Sequence, residues 1–125
     1  MRKSGILMPV ASLPGPYGIG SLGKPAFVFI DFLKKAGQKV WQMLPLSPTG
    51  FGDSPYQSCS AFAGNPYFID LDILRKKGLL KKGEYGAKEC CTNEGAVDYA
   101  ALYHSRYGVL RKAFARFSTW YPDDY

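Results

Sequence analysis

Two short apolar runs, Gly5 to Val10 (GILMPV) and Val40 to Leu46 (VWQMLPL), stand on either side of a single stretch with helical periodicity. Each run is continuous, too short for a buried helix and closed by proline or glycine, the pattern of a strand covered on both faces. Two strands joined through one helix are expected to pair in parallel with a right-handed crossover, because a hairpin cannot make that connection. An α/β fold follows. Two parallel strands alone would leave edges and faces uncovered, so the pattern predicts part of a larger α/β domain.

The intervening helix is predicted over Leu22 to Ala36, with Ser21 as N-cap, Pro25 in the first turn and Gly37 as a left-handed terminator. Ala26, Ile30 and Leu33 recur at spacings of four and three, and Phe27 and Phe29 widen the apolar side. The exit from the first strand, ASLPGPYGIGSLG, is dense in residues that set consecutive turns. Asp70 is placed to cap a short helix, LDILRKKG, ending at Gly78. Leu79 to Glu94 reads as loop or linker. From Glu94 to Trp120 the pattern is helical again, with Val97, Ala101, Leu110, Phe114 and Phe117 as its apolar side and Gly108 as a point of division. The domain reading is therefore residues 1–78 as a first βαβ portion carrying a substrate-contacting loop, and residues 79–125 as a helical insertion or subdomain.

An apolar fraction of 46 % with 15 % aromatic residues excludes a disordered chain. The net charge of +6 raises the question of an anionic partner. Much of the excess lies in short clusters at helix faces and ends, such as Lys34 and Lys35 or Arg75 to Lys77, and no nucleic-acid-binding motif accompanies it. No nucleic-acid partner is expected. Cys59, Cys90 and Cys91 make an odd set containing an adjacent pair, which suits reduced thiols in a cytoplasmic protein better than a disulfide framework. Pro9, Pro14 and Pro16 break the first apolar stretch, so it is no signal-peptide core, and no run is long enough to span a bilayer. No membrane association is expected.

Loops at the carboxyl ends of parallel strands are where α/β proteins place ligands. The loop after the second run holds Gly50-Phe51-Gly52-Asp53-Ser54-Pro55-Tyr56-Gln57. Aromatic rings there can cover the apolar face of a pyranose, while carboxylate, hydroxyl and amide groups can satisfy its hydroxyls. Each residue also has a structural alternative. Asp53 can serve a turn or cap, Ser54 can cap a helix, Gln57 and Asn65 can hold loop backbone, and Phe51 can pack the loop. Tyr56 sits among turn residues instead of at a core spacing, which favours a ligand-facing ring. Trp41 and Gln42 lie in the strand and read as structural.

Other chemistries find little support. His104 has no histidine or cysteine at metal-ligand spacing. Neither a nucleophile elbow nor a zinc-protease pair occurs, and Gly15, Gly18, Gly20 and Gly23 match neither a Walker nor a dinucleotide-binding loop. No cofactor or metal is expected. Retaining glycosyl transfer needs two carboxyl groups about 5 to 5.5 Å apart. Asp31, Asp72, Glu84, Glu89 and Asp98 lie in surface-like surroundings, and Asp53 has no evident partner, so the residues point to a carbohydrate-contacting loop more than to a catalytic pair.

Three segments, SGILMPVASLPGPYGIGSLG (4–23), FIDFLKKAGQKVWQ (29–42) and LPLSPTGFGDSPYQSCSAFAGNPYFID (44–70), resemble the 4-alpha-glucanotransferases of glycoside hydrolase family 77, also called amylomaltases or disproportionating enzymes. The GDSPYQS and SAFAGNPY runs carry the resemblance most specifically. YHSRYGVLRKAFARF (103–117) is similar to the family's helical region in a less distinctive way.

The resemblance implies the amino-terminal part of a TIM-type (β/α)8 barrel with helical insertions, incomplete in this chain. It implies an enzyme that moves α-1,4-glucan segments between maltooligosaccharides, starch or glycogen fragments without metal or nucleotide. An aspartate forms the glycosyl intermediate, a glutamic acid assists departure, and a second aspartate helps to bind and distort substrate. Those three acids belong to family regions beyond the matched segments, so no catalytic residue is assigned here. The missing remainder of the catalytic domain is an expected partner, and the chain alone is expected to be inactive. Tyr56 matches the tyrosine near the donor sugar at the cleavage point and Ser54 a neighbouring sugar-contacting hydroxyl. Asp53 and Gln57 belong to the same motif. Phe51 stands where tyrosine is frequent, in a secondary glucan-binding groove, and keeps the stacking plane without the hydroxyl. A noncatalytic α-glucan-binding or assembly module is the alternative.

Overall fold

The computed structural model describes residues 2–50, 52–86 and 95–120. Strand β1 (Gly5–Leu7) pairs in parallel with β2 (Val40–Gln42), with Gly5 opposite Val40, Ile6 opposite Trp41 and Leu7 opposite Gln42. Helix α1 (Lys24–Lys35) connects them. The parallel βαβ unit expected from the apolar pattern is therefore present. Both strands are shorter than their apolar runs. Val10 leaves β1 to open a 3-10 turn (Val10–Ser12), and Met8 and Pro9 lie between the two.

The chain divides into two compact units. The first comprises Met1–Gly15 and Ile19–Ile69, the second Pro16–Gly18 and Asp70–Tyr125. Val10, Leu13, Ile19, Ala26, Leu33, Tyr67 and Phe68 are buried in the first. Helix α1 lies on the sheet through Phe29, whose ring meets Trp41 edge-on at a centroid separation of 5.0 Å. The Trp41 Nε1–H donates to the Met8 carbonyl at 2.8 Å, which ties β2 to the segment leaving β1.

Ser21 does not cap α1. The helix starts after Gly23 without a side-chain cap, and Ser21 is buried outside it. The backbone places the start: Gly23, at φ −121° and ψ −141°, lies outside the helical region and stands as the N-cap, so the first turn begins at Lys24. The end is as expected. Gly37 is left-handed, its N–H donates to the Lys34 carbonyl, and the Gln38 N–H donates to the Leu33 carbonyl, which together form a Schellman motif.

The second unit contains α2 (Leu71–Lys76) and α3 (Tyr99–Trp120). Asp70 caps α2 as expected, its Oδ1 accepting from the Ile73 N–H at 2.9 Å. A second Schellman motif ends α2 at Gly78, and Leu79 and Leu74, which carry its donor and acceptor, pack in one cluster. That cluster is built on Leu71, Leu79, Leu80, Tyr85, Val109 and Ala113.

Two expectations for α3 are corrected. It runs as one helix through Gly108, whose exposed position gains nothing from a side chain. The cost of about 1 kcal/mol for glycine in a helix is borne by the buried residues on either side. Its inward stripe is Leu102, Arg106, Val109 and Ala113, with Leu110 and Phe117 beside it, while Phe114 is 55 % exposed. Arg106 is completely buried, and a charged residue inside the stripe concealed its period of three and four. The expected helix start at Glu94 lies outside the described residues. No helix among the described residues is long and apolar enough to cross a membrane.

Candidate functional site

The loop after β2 is closed at its base by a hydrogen bond from the Asn65 N–H to the Leu46 carbonyl, at 2.7 Å. Asn65 is buried, and its Oδ1 accepts from the Tyr67 N–H at 3.0 Å to start the 3-10 turn Pro66–Phe68. The amide therefore secures backbone, which was one of its two readings. Because Leu22 donates to Phe68, the loops that leave β1 and β2 are tied together within the first unit.

Inside that base a smaller turn carries the candidate residues. The Gly50 N–H donates to the Gln57 carbonyl at 3.1 Å, the Asp53 N–H to the Gly50 carbonyl, and the Gln57 N–H to the Ser54 carbonyl. A Cβ at Gly50 would stand 2.7 Å from the Gln57 oxygen, so the turn closes only with glycine there. Asp53 is left-handed at φ 60°, a conformation that aspartate tolerates better than most residues. Asp53 therefore serves the turn through its backbone conformation.

The turn brings Asp53, Ser54, Tyr56 and Gln57 together on one short segment. The Ser54 hydroxyl accepts from the Tyr56 N–H at 3.3 Å and is half-buried. Its second lone pair and its proton are left over by that contact. Asp53 and Gln57 are exposed, and the Tyr56 side chain is 72 % exposed on a backbone fixed at both ends. Among the described residues the Asp53 carboxylate accepts no hydrogen bond. The turn thus carries an aromatic ring, a carboxylate, a hydroxyl and an amide on one hydrogen-bonded segment. Phe51 lies outside the described residues.

The pattern of residue types missed one feature of the same loop. Ser58 and Ser60 fold it into consecutive side-chain turns. The Ser58 hydroxyl donates to the Ser60 carbonyl at 2.8 Å, and the Ser60 hydroxyl accepts from the Phe62 and Ala63 N–H groups at 3.3 and 3.2 Å. They hold Phe62 fully exposed. The S-x-S spacing ahead of the aromatic residue was the available signal. Among the described residues no group of three or more histidine, cysteine or acidic side chains could hold a metal. Trp41 and Gln42 remain strand residues, and the exposed His104 packs edge-on against Tyr103.

Residues 8–123 match the family model described as 4-alpha-glucanotransferase, glycoside hydrolase family 77. The chain belongs to that family. It is 55 % identical over 112 residues to a 4-alpha-glucanotransferase from Clostridium butyricum, covering 90 % of this chain and 23 % of the relative. A 4-alpha-glucanotransferase from Thermus thermophilus is 51 % identical over 116 residues, covering 93 % of this chain and 22 % of the relative. Amylomaltase from Streptococcus agalactiae, solved in complex with acarbose, superposes with a TM-score of 0.89 at 48 % identity over 95 % of this chain and 24 % of that one. This member of the family therefore spans about a quarter of the length of the relatives that it matches.

Proposed function

We propose that this chain supplies the amino-terminal part of a TIM-type barrel in a 4-alpha-glucanotransferase, and that its turn at residues 50–57 holds the donor glucan at the cleavage point. The observation that carries this reading is the agreement with an amylomaltase at a TM-score of 0.89 over almost the whole chain. In this role the Tyr56 ring lies against the apolar face of a pyranose. The free capacity of the Ser54 hydroxyl and the Asp53 and Gln57 side chains meet sugar hydroxyls, and Phe51 serves a neighbouring glucan-binding groove.

The reaction proposed for the assembled enzyme is retaining double displacement. A carboxylate displaces the reducing-end fragment to form a covalent glycosyl ester as an acid protonates the leaving oxygen. The 4-hydroxyl of an acceptor glucan then attacks the same carbon and gives up its proton to that second group. Neither carboxyl is assigned to the residues described above. The contribution of this chain is to bind and orient, which raises the rate by fixing the reacting bond near its attack geometry. The free thiol of Cys59 accords with a cytoplasmic setting.

Maltotriose disproportionation tests the proposal in two preparations. The 125-residue chain alone should yield neither longer maltooligosaccharides nor glucose. Streptococcus agalactiae amylomaltase whose matching quarter has been replaced by this sequence should yield both, and Tyr56→Ala in that chimaera should abolish most of the transfer. A chimaera that folds and transfers equally well with Tyr56→Ala would remove the turn from the reaction.

A further inference from the structure

The segment that joins the 50–57 turn to the base of its loop is held by side chains. Among the described residues, no backbone–backbone hydrogen bond involves residues 58–64. In place of such bonds, the Ser58 hydroxyl donates to the Ser60 carbonyl at 2.8 Å and accepts from the Ser60 N–H at 3.2 Å. The Ser60 hydroxyl accepts from the Phe62 and Ala63 N–H groups at 3.3 and 3.2 Å. These bonds form a continuous line to the candidate residues. It starts beside Asn65, which is buried and tied to the Leu46 carbonyl, and passes through Ala63, Ser60 and Ser58. It ends on the peptide between Gln57 and Ser58, a rigid plane whose carbonyl accepts from the Gly50 N–H and so closes the turn that carries Tyr56.

Stability does not account for the two hydroxyls. Phe62 and Ala63 are exposed, so water can take over both of their amides, and exchanging a protein acceptor for water changes stability little. What water cannot supply is one fixed course for the chain between Gln57 and Asn65. We infer that Ser58 and Ser60 are positioning residues for the glucan transfer proposed above: they set where the 50–57 turn holds Tyr56, and through it the bound sugar, without touching substrate themselves. Misplacing a substrate-positioning group by about 1 Å costs on the order of a hundredfold in rate. A brace outside the site is therefore worth more to the reaction than to the fold. The inference rests on the reading that this turn binds the donor glucan.

Amide hydrogen exchange on the 125-residue chain and maltotriose transfer by the amylomaltase chimaera test the brace together. Ser60→Ala should speed exchange at Phe62 and Ala63, whose bonds it removes, and also at Gly50 and Gln57, whose own partners are untouched. Circular dichroism and the thermal midpoint should match the parent. In the chimaera the same change should lower kcat/KM for maltotriose about tenfold, part of the cost of a misplaced contact. Ser60→Thr, which keeps the hydroxyl, should transfer as the parent does, and Ser58→Ala should repeat both effects of Ser60→Ala by removing the adjoining pair of bonds. Faster exchange confined to Phe62 and Ala63, or equal losses in Ser60→Thr and Ser60→Ala, would overturn the inference and leave the serines as local turn formers. So would a Ser60→Ala chimaera that transfers like the parent while Tyr56→Ala does not. Parent-like transfer by both Ser60→Ala and Tyr56→Ala would overturn the proposed function, whereas unchanged exchange at Gly50 and Gln57 would overturn the brace itself, which separates the two.

Discussion

Tyr17 and Tyr85 donate to the same carboxylate oxygen, Oδ1 of Asp72, each at 2.9 Å, and their rings meet edge-on at 5.4 Å. Burial, followed by the Asp72 hydrogen bond, pushes both phenols above the ordinary tyrosine range of about 10. A raised folded-state value means that their contribution to stability is complete below the unfolded value and is lost as pH rises through the folded one. Ultraviolet titration should show two phenols ionising after the rest, and Asp72→Asn should bring both back toward the others. Tyr17→Phe removes one bond to a carboxylate in a partly wet setting and should cost about 1 kcal/mol in denaturant unfolding. Unchanged late ionisation in Asp72→Asn would contradict this account.

At the opposite end of the pH scale the relevant pair is Glu84 and Arg116. Two contacts of 2.6 and 2.7 Å join them, the guanidinium also donates to the Leu79 carbonyl, and Glu84 accepts from the Lys81 N–H. The Arg116 hydrogen bond, with help from the Lys81 amide, lowers the Glu84 carboxyl to about 2. A depressed folded-state value gives stability that is present above the unfolded value and lost as pH falls. Thermal midpoints should therefore decline from about pH 4.5 toward pH 2. Glu84→Gln should flatten that decline, and a decline of the same slope in the variant would assign it to other carboxylates.

Gly20 tests how tightly the loop after β1 is packed. A Cβ at this position would fall 2.0 Å from the Val10 carbonyl oxygen and 2.8 Å from both the carbonyl oxygen and Cβ of Leu13. Backbone surrounds it, so no flexible side chain can move aside. Gly20→Ala should destabilise by about 3 kcal/mol, the upper part of the range for overpacking. Gly95→Ala, where a Cβ meets nothing within 4 Å among the described residues, is the control and should change stability little.

The helices and the strand order were legible because each rests on a local cause. Asp70 and Gly78 bracket α2, Gly37 ends α1, and one helix between two apolar runs requires a parallel pair. What escaped the sequence depends on distant partners. Ser21 is no cap because the non-helical backbone at Gly23 delays α1 to Lys24, and Arg106 hid the inward face of α3 by being buried. In the loop, the residue types suggested sugar contact, yet the closure of Gly50 on Gln57 and the exposure of Phe62 depend on backbone geometry that composition does not encode. Phe27 and Ile30 of α1 read as core from their spacing for a related reason, and both are exposed. Periodicity reports which residues are apolar, and it cannot report which piece of polypeptide covers them.

Asp53 allows the architecture of the turn to be separated from its chemistry. Its φ of 60° is tolerated by aspartate and asparagine, whereas alanine there should cost about 1 to 2 kcal/mol. Asp53→Asn should accordingly leave the melting temperature unchanged, and Asp53→Ala should lower it. If the exposed carboxylate meets sugar hydroxyls, Asp53→Asn in the chimaeric transferase should raise KM for maltotriose several-fold while the fold is intact, because a charge-assisted hydrogen bond is replaced by a neutral one. Tyr56→Phe should keep most of the affinity, since the stacking plane survives, and Tyr56→Ala should lose it. A transferase in which Asp53→Asn matches the parent in KM and only Asp53→Ala is impaired would assign the acid to the turn alone.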